Sequence, residues 1–226
     1  MQYKAVLLDL DGTLVNSIPD IAAATNHMLL ALGRPEQSLE LITSFVGKGT
    51  DVLVQRALRH GQNEVELDEQ LYQEARSLFA QYYEQSNGQQ SALYEGVFEG
   101  LSAFKAMGCK LAVVTNKPIG FTHPLLKAVG LTPYFDLVVG GDTTPQKKPH
   151  PLPFLYACEQ LGFAPAECLV VGDSGNDALA ARAANMDVLV VPYGYNEGIN
   201  VQTLDVDGIV SSIADAAKWA RSASAQ

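Results

Sequence analysis

Two aspartates two residues apart, Asp9 and Asp11, follow the first apolar run of the chain in the string Asp9-Leu10-Asp11-Gly12-Thr13. On extended backbone alternate side chains share a face, so both carboxylates project to the same side. A third, Asp173, follows another apolar run in Gly172-Asp173-Ser174-Gly175-Asn176-Asp177. Together they supply hard oxygen ligands at a density suited to Mg²⁺, and Mn²⁺ accepts the same donors. Asp9 held close to phosphorus can attack it and form an acyl phosphate. Asp11 can then protonate the leaving alkoxide and afterwards deprotonate the hydrolytic water. Thr115 and Asn116 offer hydrogen bonds to phosphate oxygens, and Lys148 offers a point cation. Phosphoryl transfer demands mostly positioning and charge neutralisation, and this set supplies both.

The bulk composition sets a condition on that chemistry. The 226 residues carry a formal net charge of −10, and the 15 basic residues form no dense run, which excludes a nucleic-acid binder with a basic face. The same field repels an anionic substrate, so a phosphate site here needs local positive charge from a metal, a lysine or helix N-termini. The apolar fraction of 47% is that of a folded soluble chain. The run Ala5–Leu8 is broken by Asp9 and Asp11, too short and too acidic for a signal peptide. No apolar stretch approaches the roughly 20 residues that span a bilayer. A soluble, cytoplasmic protein without membrane or nucleic-acid partners is expected. Cys109, Cys158 and Cys168 form no CxxC pair and lie in apolar segments, so they read as reduced core residues. His27, His60, His123 and His150 share no metal-ligand spacing.

The candidate residues need elements to hold them. Five short runs, Ala5–Leu8, Leu111–Val114, Leu137–Val139, Leu169–Val171 and Val188–Val191, are continuously apolar. Such runs predict strands buried on both faces of a parallel sheet. They alternate with helical patterns at Gly96–Met107, Phe121–Val129, Leu152–Leu161 and Asn176–Ala184, most ending at Gly or Asn. The alternation predicts an open α/β sheet with helices on both faces, whose sites lie at the strands' carboxyl ends. Residues 15–91 break the pattern, with no strand and helical patterns following Ser17-Ile18-Pro19-Asp20 and at Leu39–Phe45, Asp51–His60 and Asp68–Tyr83. The expected organisation is an α/β core from 1–14 and 92–226 with a helical cap domain at 15–91. Ser222–Gln226 reads as a frayed tail.

Asp9-x-Asp11-x-Thr13, Thr115-Asn116, Lys148-Pro149 and Gly172-Asp173-x-x-x-Asp177, in that order, resemble the four motifs of the haloacid dehalogenase superfamily. The resemblance spans Val6 to Ala184 and implies a Rossmann-like core under a mobile helical cap. It further implies Mg²⁺ held by Asp9, by Asp173 and by the backbone carbonyl of Asp11, with Asp177 steadying the metal's waters or Lys148. Within the superfamily the wording is most similar to the phosphoglycolate phosphatase family. The pieces are Leu8–Leu14, Val114-Thr115-Asn116-Lys117-Pro118, Lys148-Pro149-x-Pro151-x-Pro153 and Gly172-Asp173-Ser174-x-Asn176-Asp177. Val46-Gly47-Lys48-Gly49-Thr50 resembles that family's substrate loop, which marks Gly47 and Lys48 as substrate-binding, although an ordinary inter-helix loop fits almost as well. Gly175 and Asn185 depart from the pattern; Asn185 tolerates the left-handed conformation that ends a helix.

The expected reaction is hydrolysis of a small phosphorylated metabolite, 2-phosphoglycolate, to glycolate and phosphate. A phosphomutase or a phosphatase acting on a sugar phosphate would use the same Asp9 chemistry. A phospho-accepting regulatory module is the rival outside enzymes, and it lacks a cap of this size. Dehalogenation has no need of Asp11, and Lys48 is the single candidate for a phosphonate hydrolase's imine. Thr115 and Asn116 equally fit a helix cap, and Asp177 equally fits a first-turn carboxylate. Lys117 reads as a rim residue, Lys147 as solvated, Asp142 as part of a turn, and Tyr193-Gly194-Tyr195 as loop-shaping.

Overall fold

The computed structural model describes residues 3–61 and 67–223. The chain opens with β1 (Ala5–Leu8), all of it fully buried. Val6 and Leu8 face one hydrophobic layer while Ala5 and Leu7 face another, which is why the strand is apolar without alternation. The chain leaves through β2 (Val15–Asn16) into helices α1 (Ile18–Ala31), α2 (Leu39–Thr43), α3 (Thr50–Arg59) and α4 (Glu69–Ser86). It returns through β3 (Ala92–Leu93), which pairs antiparallel with β2. Residues 15–91 are therefore not free of strand, because β2 lies inside them; two residues carry no period to read.

The helices of this insertion have their own core. Ile21, Met28 and Leu29 of α1 pack with Leu53, Val54 and Leu58 of α3 and with Ala75, Phe79 and Tyr83 of α4. Ser17, expected to cap α1, makes no capping bond; its hydroxyl donates instead to the Asp11 carboxylate at 2.5 Å. Asp20, fully buried in the first turn of α1, accepts from the backbone N–H of Gly88, Gln90 and Ser91 and from the Ser91 hydroxyl, at 2.6–3.0 Å. One carboxylate thereby ties the outgoing helix to the returning chain.

After β3 the chain alternates through α5 (Val97–Ala106), β4 (Lys110–Val114), α6 (Ile119–Ala128), β5 (Leu137–Val139), α7 (Leu152–Leu161), β6 (Cys168–Gly172), α8 (Gly175–Ala183), β7 (Asp187–Val190), β8 (Gly208–Ile209) and α9 (Ile213–Ala223). The sheet is parallel throughout, in the order β5-β4-β1-β6-β7-β8. α5, α6 and α9 contribute to the layer on one face, and α7 and α8 to the layer on the other. From β1 the strands run outward through β4 and β5, then resume on the opposite side with β6. That reversal opens a crevice at the carboxyl ends of β1 and its neighbours.

α6 begins two residues before its expected start because the Asp142 carboxylate accepts from the Ile119 N–H at 2.8 Å. β8 and α9 were not expected from the sequence; of the tail read as frayed, Ser222 and Ala223 belong to α9, and 224–226 lie outside the described residues. α9 buries Ile213, Ala216, Ala217 and Ala220 on one face, a stripe at helical period in which one isoleucine is joined by three alanines. Gly100 of α5 lets the two helices touch, since a Cβ there would lie 2.4 Å from the Ile213 backbone. Among the described residues no helix is long and apolar enough to cross a membrane. The three cysteines are buried thiols, with the Sγ atoms of Cys158 and Cys168 3.6 Å apart.

Replacing Asp20 strands three backbone donors in the base of the helical insertion. Asp20→Ala is expected to destabilise the fold by about 3 kcal/mol or more in urea unfolding, from the cost of buried donors without acceptors. A loss below about 1 kcal/mol would show that the clamp is dispensable.

Candidate active site

The polar groups of the crevice meet around one ammonium. Lys148, on the loop after β5, is buried and donates to the Val114 carbonyl and the Asp177 carboxylate, each at 2.7 Å. Its Nζ also lies 2.9 Å from Oδ1 of Asp9, an ion pair outside hydrogen-bonding alignment. Asp9 takes its place from β1, continuing the strand with an N–H donated to the Val171 carbonyl of β6. Asp177, in the first turn of α8, also accepts from the N–H of Asp173 and from the N–H and hydroxyl of Ser174. Asp173 accepts from the Thr13 hydroxyl at 3.3 Å and, closely, from the Tyr195 N–H. Oxygens of Asp9, Asp173 and Asp177 all lie within 4.8 Å of one another.

Glycines make this crowding possible. Gly12 has φ +87°, and a Cβ there or on Gly194 would fall 2.3 or 2.1 Å from the Asp173 carboxylate oxygen. Tyr193-Gly194-Tyr195 thus does more than shape a loop. Its Tyr195 hydroxyl accepts from the Ile18 N–H at 3.1 Å and donates to Asn16 at 2.7 Å, joining the core to the start of the helical insertion.

Thr115 and Asn116 follow β4. The Thr115 hydroxyl oxygen accepts from the Lys117 N–H at 3.2 Å, which leaves its hydrogen to donate. Asn116 brackets the main chain of Lys148, accepting from its N–H and donating to its carbonyl, both at 2.9 Å. The same amide donates to the Gly47 carbonyl at 2.9 Å, so the loop before α3 docks on the core. Gly47, Gly49 and Thr50 line the cavity between the insertion and the core, a space of about 550 Å³ including its open mouth. Lys48 does not line it. Its ammonium turns to Glu197 at 3.2 Å, because that carboxylate also holds Arg56 and draws both cations to the outside of the loop. Lys147 lies 3.6 Å from Asp51.

Asp11 stands apart from the other carboxylates. Both its oxygens lie 3.1 Å from the ammonium of Lys117. Lys117 is not a rim residue: it is only 6% exposed, and its Nζ donates to the Tyr83 hydroxyl of α4 at 2.5 Å. A carboxylate and a phenol from distant segments compensate that burial, and neither pairing has a signal in local spacing. Tyr83, Tyr195, Ser17 and Glu197 were likewise missed, each being an ordinary aromatic or polar residue in a helix or loop.

Charge at this site is out of balance. Asp9, Asp173 and Asp177 carry three carboxylates against the single ammonium of Lys148. Burial, reinforced by the charge of Asp177, pushes the Asp9 carboxyl up to about 6, although Lys148 pulls it down. Burial followed by Asp177 and Asp9 holds Asp173 well above the usual carboxylate range. Burial works against the charge of Lys148, but Asp177 and Asp9 outweigh it and the net shift is upward. A donor set made only of hard oxygens with surplus negative charge fits a divalent cation such as Mg²⁺.

The sign of the metal's effect on stability follows. Asp9 rises from 3.8 to about 6 on folding, so without metal the folded chain loses stability as pH rises through that window. A bound cation competes with the proton and removes that loss. Millimolar Mg²⁺ should therefore raise the melting temperature more at pH 8 than at pH 5, measured by calorimetry. Equal increments at both pH values would contradict the coupling.

The arrangement has relatives. A family model for haloacid dehalogenase-like hydrolases matches residues 6–191. Proteins named phosphoglycolate phosphatase in Thiobacillus denitrificans and Nitrosospira multiformis are each 50% identical to this chain. The first alignment covers 96% of this chain and 95% of its relative, and the second 96% of each. The crystal structure of a predicted phosphoglycolate phosphatase from Haemophilus somnus superimposes with a TM-score of 0.92 at 41% identity, over 97% of this chain and 99% of that one.

Proposed function

The chain belongs to the haloacid dehalogenase-like hydrolase family and is a phosphoglycolate phosphatase-like hydrolase, and from that premise we propose that it converts 2-phosphoglycolate to glycolate and phosphate through an aspartyl phosphate on Asp9. The observation that carries this reading is the separation of two carboxylates in one short string. Asp9 lies against Lys148 and the acidic cluster, whereas Asp11 lies against Lys117. Two aspartates with different partners suit two different roles.

In the proposed first half, an Asp9 oxygen attacks phosphorus while Asp11 gives a proton to the departing glycolate oxygen. In the second half, Asp11 takes a proton from water as its oxygen attacks the same phosphorus. The bond from phosphorus to Asp9 breaks, and the carboxylate is restored. Lys148 neutralises charge on the phosphoryl oxygens, and the Thr115 hydroxyl donates to one of them. Asp9, Asp173 and the main-chain carbonyl of Asp11 would hold Mg²⁺, with Asp177 keeping Lys148 and the Asp173 loop in place. When bound, the ion neutralises charge that the −10 chain would otherwise set against a dianion. The substrate carboxylate is met by the backbone of the Gly47–Thr50 loop at the N-terminus of α3.

Phosphate release from 2-phosphoglycolate, with and without Mg²⁺ and beside a panel of sugar and nucleotide monophosphates, tests the reading. A strong Mg²⁺-dependent preference for 2-phosphoglycolate is expected; preference for another compound discards the substrate and keeps the chemistry. Asp9→Asn should lower kcat by about a thousandfold or more, as loss of a nucleophile does, without lowering the melting temperature. Retained turnover would remove the covalent step.

A further inference from the structure

Lys117 is buried, charged and in contact with the Asp11 carboxylate, yet the reaction above gives it no step. Its ammonium touches both Asp11 oxygens at 3.1 Å and the Tyr83 hydroxyl at 2.5 Å, and lies 4.7 Å from the centre of the Tyr83 ring. An ammonium has three donors and no acceptor, and Asp11 meets it through both oxygens. The Ser17 hydroxyl donates to the same carboxylate at 2.5 Å, which leaves Asp11 little freedom to rotate. Tyr83 comes from α4 of the helical insertion and Lys117 from the loop after β4, so their contact spans insertion and core. The Tyr83 ring is fixed in turn, stacked on Phe79 at 5.4 Å and edge-on to Phe121 of α6 at 5.1 Å between centroids.

We infer that Lys117, held by Tyr83, is a positioning residue that fixes Asp11 as the base for the second half of the reaction, and that this hold is complete only while the helical insertion lies over the site. The inference rests on the proposed role of Asp11. The step it serves is hydrolysis of the Asp9 phosphoryl group: the water oxygen bonds to phosphorus, the water proton passes to Asp11, and Asp9 leaves. Withdrawing α4 removes Tyr83 from Lys117 and frees the ammonium to leave Asp11. Water attack is thereby coupled to closure.

Stopped-flow turnover of p-nitrophenyl phosphate with Mg²⁺ separates the halves, because nitrophenolate departs without a proton donor. The burst reports formation of the phosphoenzyme and the rate after it reports hydrolysis. Lys117→Met should keep the burst while the later rate falls by about 10- to 100-fold, part of the effect usual for a general base. Tyr83→Phe, which removes one oxygen and spares the fold, should lower the later rate by about fivefold with the burst intact. Asp11→Asn serves as the reference and should show a burst with a still slower later rate. If Asp11→Asn turns over as the unaltered enzyme does, the role of Asp11 itself is wrong. If Asp11→Asn is slow after its burst but Lys117→Met and Tyr83→Phe are not, the inference is overturned. A rise in KM with an unchanged rate after the burst overturns it too and makes Lys117 a binding residue.

Discussion

The buried ammonium of Lys148 is the interaction on which the rest depends. It sits between Asp9 at the end of β1 and Asp177 in the first turn of α8, within 3 Å of both. Parallel pairing of β1 with β6, in the register Leu8↔Val171, delivers Asp9 beside the Gly172-Asp173 turn. Gly172 has to lack a side chain, since a Cβ there would meet Asp177 at 2.3 Å. One cation does not balance three carboxylates, and burying the surplus is costly. The remedy lies in the chemistry: a site short of positive charge suits a divalent ion, and the ion together with Lys148 suits a phosphoryl group.

The helical insertion is joined to this centre by contacts of unequal strength. Lys48 and Arg56 reach Glu197 through partly exposed ion pairs, a class worth about 0–1 kcal/mol each. Deeper contacts are polar and specific: Asn116 to the Gly47 carbonyl, Tyr195 to Asn16 and Ile18, and Tyr83 to Lys117. Weak outer pairs beside aligned inner ones are compatible with the proposed closure of the insertion over the site. The Asp20 clamp holds the two passages between insertion and sheet together without touching the cavity.

Much of this was legible in the sequence, for physical reasons. The five strands announced themselves because burial on both faces forces continuous Val, Leu and Ala, and three of them, β1, β4 and β6, ended in the polar strings that chemistry requires. Asp9 and Asp173 were visible because a carboxylate at the end of such a run is hard to explain otherwise, whereas Thr115 and Lys148 stood out only through the order of motifs they share with the family. What stayed hidden was pairing across distance. Lys117 looks like any loop lysine until Asp11, 106 residues away, and Tyr83, 34 away, are beside it. Gly194 gains meaning only against Asp173, and Ser17 resembled a helix cap while serving Asp11. Lys48 was misplaced because its spacing says nothing of Glu197, and β2 and β8, two residues each, are too short for any period.

The claim at the centre is that the phosphoryl group is carried by Asp9 between two displacements. The stereochemical course at phosphorus tests it directly, using a substrate with an isotopically chiral thiophosphoryl group hydrolysed in labelled water. Two in-line displacements return the original configuration, so overall retention is the predicted result. Inversion would mean that water attacks the substrate in a single step, and would contradict the account.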